Sequence, residues 1–171
     1  MSRTAVESLL YLLDAGFDGN DEHSLLGNLA TVRPEDWDWR PEGSGRSIED
    51  IAIHAGAAKY VYESYAFGDG SIAWTASLRD AYARVGTLDH CRGWLREGQA
   101  RLRASIALLS DADLDAERPV HYGGQETARF IVATMIQHDL YHSGEINHLR
   151  SLRQGTDYWP GQEPAERERR S

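Results

Sequence analysis

Apolar residues recur at three- and four-residue spacing along four segments of the chain, the period of an amphipathic helix. In the first, from about Thr4 to Val32, Val6, Leu9, Leu13 and Phe17 share one stripe, and Leu26 and Leu29 follow. Gly16 and Gly19 fall inside this segment, and each glycine costs a helix about 1 kcal/mol, so a bend or break is expected there. The second segment begins at Ser47, where Ser47-Ile48-Glu49-Asp50 sets a hydroxyl cap three residues before a carboxylate. Its stripe reads Ile48, Ile51, Ala55, Ala58 and Tyr62, and it ends near Gly68. The third, about Thr87 to Leu109, is the most regular. Leu88, Cys91, Leu95, Gly98, Leu102, Ser105 and Leu109 form the seam that bundle packing requires. The fourth runs from near Glu126 to about Arg153, with a stripe of Ile131, Met135, His138, His142, Glu145 and Leu149.

The stretches between these segments, 33–46, 69–86 and 110–125, are polar or rich in glycine and proline. A short helix is expected near Ala76 to Arg84. No run alternates apolar and polar positions over a useful strand length. The pattern therefore predicts an all-α fold, a four-helix bundle with long inter-helix connections over residues 1–155. Residues 156–171 read as an extended arm and polar tail.

Composition narrows the function. The 171 residues suit one domain, and 18 basic against 27 acidic side chains give a net charge of −9. That balance argues against a nucleic-acid module, which presents a basic face. No apolar run approaches the roughly 20 residues of a membrane span, and the N-terminus lacks a long uncharged stretch, so a cytoplasmic protein without membrane partners is expected. The lone cysteine, Cys91, excludes an internal disulfide and lies on an apolar seam, as a buried inert thiol would.

The seven histidines carry the candidate chemistry. His23, His90, His121 and His148 lie in loops or off the inward stripes and are expected as solvated surface residues. His138 and His142 are four apart, on one face of one helix, where a core would ordinarily place leucine. Two buried imidazoles in one turn need partners, either a metal ion or hydrogen bonds to carbonyl or acidic groups. His54 adds a third inward imidazole from the second segment, beside Ala55, Gly56, Ala57 and Ala58, whose small side chains leave room in a bundle centre. Three histidines from two helices favour a metal site. Three protein ligands leave a position for water or substrate, whereas structural zinc normally takes four.

Two stretches extend this reading. Trp37-Asp38-Trp39-Arg40-Pro41 leads into Gly45-Arg46-Ser47-Ile48-Glu49-Asp50-Ile51-Ala52-Ile53-His54, and later comes His138-Asp139-Leu140-Tyr141-His142-Ser143-Gly144-Glu145-Ile146. Together they resemble the DinB superfamily of DinB/YfiT-like metalloenzymes, whose second motif is H-x-x-x-H-x-G-Q-I. The resemblance spans about residues 4 to 153. It implies a four-helix bundle, homodimer formation, and a divalent ion on His54, His138 and His142. Zinc comes first, with nickel, manganese or iron as alternatives. Glu145 stands where the family commonly has glutamine, and it can serve as general base, fourth ligand or orienter of a ligand. The resemblance further implies transfer of a low-molecular-weight thiol of mycothiol or bacillithiol type to a small electrophile, or a related thiol-dependent isomerisation. Hydrolysis by metal-activated water and a non-catalytic, stress-linked metal-binding role stand as alternatives. Tyr62 and Tyr141 are candidates for a substrate pocket wall, with core packing as their other use, and Arg46 for contact with an anionic cosubstrate. Asp50 either orients His54 or caps its helix.

Overall fold

Side-chain caps fix where every α-helix but Trp74–Arg84 begins in the computed structural model, which describes residues 2–43 and 45–159. Helix α1 (Thr4–Asp18) starts under a distant carboxylate: Asp111 Oδ1 accepts from the backbone N–H groups of Ala5 and Val6, each at 3.0 Å. The chain then turns, and α2 (Leu25–Ala30) starts at Ser24, whose hydroxyl accepts from Gly27 N. The first apolar segment is thus two helices, broken after Gly19. Gly27 permits the break to fold tightly, since a Cβ there would lie 2.5 Å from Asn20 O.

Helix α3 (Ile48–Phe67) begins with the Ser47–Asp50 capping box, in which each side chain accepts from the other residue's N–H. Asp50 also pairs with Arg40 at 2.6 Å, so it serves the helix start. Helix α4 (Trp74–Arg84) begins two residues before the expected short helix, which brings Trp74 into it. Thr87 caps α5 (Leu88–Ala107), and Thr127 caps α6 (Ala128–Gln154). Helix α6 stops at Gly155, whose φ of 69° is left-handed.

The remaining element is a hairpin of two three-residue strands, β1 (Glu117–Pro119) and β2 (Gln125–Thr127), paired antiparallel. Strands this short leave no readable alternation, which is why the sequence pattern does not disclose them. The fold is all-α apart from this hairpin. Among the described residues the four long helices α1, α3, α5 and α6 pack around one another, with α2 laid on α6 and α4 on α3. The arm begins by folding back: Arg150, almost fully buried, donates to Tyr158 O at 3.1 Å and lies over the Trp159 ring. The polar tail from 160 onward lies outside the described residues.

Helices α3 and α5 pack aromatic rings onto each other's glycines. Trp94 lies against Gly56, and Tyr60 lies against Gly98, with the two rings stacked at 5.2 Å. A Cβ on Gly56 would sit 2.1 Å from Trp94 Cζ3. Gly56→Ala is therefore expected to push the indole out of its stack and cost about 1–3 kcal/mol. Gly93→Ala, on the same pair of helices but with open space around its Cβ, should instead gain up to about 1 kcal/mol from helix propensity. Urea unfolding of the two variants checks the opposite signs.

Candidate metal centre

His54 comes from the second turn of α3, and His138 and His142 from successive turns of α6. Their Nε2 atoms converge. His138 Nε2 is 3.2 Å from His54 Nε2 and 3.1 Å from His142 Nε2. The donor atoms of all three lie within 4.8 Å of one another. His142 is buried, and the other two are half-buried.

The second nitrogen of His142 is fixed. Its Nδ1 donates to Glu145 Oε2 at 2.6 Å, and Arg46 Nη2 donates to Glu145 Oε1 at 2.7 Å. With Nδ1 carrying the proton, Nε2 presents a lone pair to the centre. Both Glu145 oxygens are thereby engaged, and the carboxylate faces the far edge of the ring rather than the triad. Arg46, read from sequence as a contact for an anion, reaches this glutamate across 99 positions of chain.

The arrangement suits a cation. His138 Nε2 can donate to only one of its two neighbours, so the rings alone leave lone pairs facing each other. Two imidazole nitrogens about 2.05 Å from a tetrahedral ion are separated by about 3.3 Å, close to the spacing found. Burial also keeps the rings neutral, the form that binds metals. It pushes the pKa of His54 down to about 4 and that of His138 down to about 3, with the neighbouring imidazoles adding to the effect. The pKa of His142 is lowered by burial as well, against the opposing pull of Glu145.

These shifts make metal-free stability depend on pH. In the unfolded chain the three imidazoles take up protons near pH 6.5; in the folded chain His54 resists to about 4 and His138 to about 3, and His142 is lowered as well. The unfolded state thus binds more protons between those limits, so stability falls as pH drops through that window. Urea midpoints of the metal-free protein are expected to fall between about pH 7 and about pH 5. The fall should flatten in a His54→Leu/His138→Leu/His142→Leu variant, which no longer carries the titrating rings.

The other sequence candidates separate. Tyr62 is half-buried and packed edge-on to His121 at 4.9 Å. Tyr141 is 64% exposed and touches His142 only by a ring edge at 5.1 Å, so it borders the centre from outside. Cys91 is fully buried, and burial pushes its thiol pKa up to about 12, which removes it as a nucleophile.

Two features escape the sequence pattern. Trp74 meets His54 edge-on at 5.1 Å, and His121 stacks on Trp74 at 5.4 Å and 15°. His121 is therefore not a solvated surface residue: the hairpin turns it back onto α3 and α4. The other feature is a buried ion pair. Lys59, the only lysine, donates to Asp139 Oδ2 at 2.6 Å and to Gln99 Oε1 at 2.9 Å, with both members of the pair 1% exposed. Asp139 directly follows His138, so the pair lies against the triad's helix.

A family model described as the DinB superfamily matches residues 21–146. No curated protein matches the chain. Among solved structures, the chain is similar to a histidine-to-alanine mutant of a mycothiol-dependent maleylpyruvate isomerase, with a TM-score of 0.60 and 17% identity. The alignment covers 82% of this chain and 60% of that one, so this chain spans about three-fifths of that protein's length. At that identity the likeness establishes the fold.

Proposed function

From the premise that the chain belongs to the DinB superfamily, we propose that it is a divalent-metal enzyme transferring a low-molecular-weight thiol to a small electrophile, or catalysing a related thiol-dependent isomerisation. The observation that carries the reading is the count and aim of the donors. Among the described residues the group holds three ligating side chains, His54, His138 and His142, and Glu145 is committed to orienting one of them. Structural zinc sites take four protein ligands, whereas sites that work on a substrate keep a position open. An ion held there supplies the positive charge that favours the ionised, nucleophilic form of a thiol at neutral pH.

The chain's own residues do the rest. Glu145 holds the His142 ring with its Nε2 lone pair inward, and Arg46 holds Glu145. Half-buried His54 and His138 face the centre without being sealed from solvent. Zinc is the first choice of ion, and nickel, manganese and iron fit the same donors. The thiol is of mycothiol or bacillithiol type, in keeping with the mycothiol dependence of the structural neighbour. A cytoplasmic homodimer completes the proposal.

The test is turnover of 1-chloro-2,4-dinitrobenzene by zinc-loaded protein with mycothiol, bacillithiol or 2-mercaptoethanol. Conjugate formation should require both thiol and metal. Product formed equally well without thiol would overturn the transfer reading in favour of hydrolysis. Glu145→Ala should retain the fold and lower zinc affinity about 10–100-fold, as loss of a ligand's hydrogen-bond partner does elsewhere. Competition with a chromogenic chelator measures it.

A further inference from the structure

The β1–β2 hairpin does more than cross from α5 to α6. Its tip is held firmly: Val120 is buried against Ala66 and Ile131, its N–H donates to Gly124 O, and Gly123 and Gly124 both take left-handed φ values. The residue presented by this rigid tip is His121. Its ring lies among Tyr62, Tyr65, Trp74 and Tyr122, at centroid distances of 4.9, 6.3, 5.4 and 5.1 Å. Trp74 links it to the triad through His54.

His121 Nδ1 is buried with no hydrogen-bond partner among the described residues. A buried N–H without a partner costs more than a bare lone pair in the same place, so the proton belongs on Nε2. Nδ1 is sealed, while the residue as a whole is half-buried. The groups around it are uncharged aromatics, an environment that suits a flat, polarisable molecule and disfavours an unpaired carboxylate.

We infer that His121 is a substrate-contacting residue, its Nε2–H donating a hydrogen bond to the carbonyl oxygen of a flat, uncharged, unsaturated electrophile held against Trp74 and Tyr62. The inference rests on the thiol-transfer reading and names the electrophile class. In the addition, the thiol sulfur bonds to the β-carbon and the C=C electron pair shifts through the carbonyl, leaving negative charge on its oxygen. The His121 N–H strengthens its hydrogen bond to that oxygen, and the proton lost by the thiol ends, through solvent, on the α-carbon. Atoms and charge balance with no oxidant or reductant.

Benzylideneacetone, an uncharged enone, and trans-cinnamate, its carboxylate counterpart, serve as probes with 2-mercaptoethanol and zinc-loaded protein. His121→Phe keeps the stacked ring and loses the donor, and His121→Gln restores a donor without the ring. Loss of a donor to a developing oxyanion lowers turnover by about 100-fold, so the Phe variant should fall by that order and Gln should recover to within about 10-fold of wild type. Zinc content should be equal in all three proteins. Cinnamate should bind more weakly than the enone, as read by quenching of tryptophan fluorescence. Equal turnover of the enone by wild type and His121→Phe would overturn the assignment, as would preference for cinnamate. If zinc binds and no thiol adds, the transfer reading fails by itself. Enone binding then decides on His121: weaker binding by the Phe variant upholds the contact, and equal binding, or none by wild type, overturns it.

Discussion

His138→Ala is expected to abolish stoichiometric zinc binding, weakening affinity by well over about 100-fold, beyond the 10–100-fold typical of losing a ligand's supporting partner. His138 is the choice because its Nε2 is within 3.2 Å of both other donors, so its removal breaks the cluster at its middle. Metal analysis by mass spectrometry on untagged protein reads the result, with His148→Ala, an exposed histidine on the same helix, as the control that keeps its metal. The metal-free protein should respond in the opposite sense. The wild-type protein carries a half-buried imidazole among like groups where a hydrocarbon would pack, so metal-free His138→Leu should be at least as stable as metal-free wild type. Added zinc should raise the unfolding midpoint of wild type and leave the variant's unchanged. One full equivalent of zinc retained by His138→Ala would exclude the triad as the metal site.

Asp139→Leu is expected to cost about 3–5 kcal/mol, the largest loss of stability foreseen for any single change, because it leaves the Lys59 ammonium buried without its counter-charge. Both partners are 1% exposed, and around the ammonium stand the Gln99 oxygen and the Phe17 ring at 4.8 Å. Against a total stability of about 5–15 kcal/mol, such a loss is a large share of the whole. The double variant Lys59→Met/Asp139→Leu removes both charges and should recover most of it, since a buried pair is often no more stabilising than hydrocarbon of the same volume. Urea unfolding of the two single variants and the double variant gives the coupling between them. Additive losses would show that the pair does not act as a unit.

How far the sequence led can be judged from particular residues. The stripes of α5 and α6 were legible because each helix is long and buries one face, α3 was legible although it is buried almost all round, and the Ser47–Asp50 box marked a helix start within a residue. The convergence of His54, His138 and His142 was legible from inward spacing on two helices. The contact of Glu145 with Arg46 was not, because the two are 99 positions apart and meet only through the tertiary fold. His121 was misjudged as solvated because two three-residue strands carry no periodic signal, so nothing in the pattern turned the hairpin toward Trp74. Lys59 is the chain's only lysine, and nothing in the pattern marks it as buried. Its pairing with Asp139 joins positions 80 apart, and a charged residue on a helix ordinarily reads as solvent-facing.

That pair also has a consequence for how the helices are aligned. Smooth apolar faces tolerate sliding along a bundle axis, since one leucine replaces another at little cost. A short, directional contact between α3 and α6 does not. Displacement by one helical turn, about 5.4 Å, would part the ammonium from the carboxylate and strand both in the interior. Lys59 lies five residues beyond His54, and Asp139 lies one residue beyond His138. The same peg and socket therefore lock lengthwise the two helices whose histidines face a shared centre, before any ion arrives.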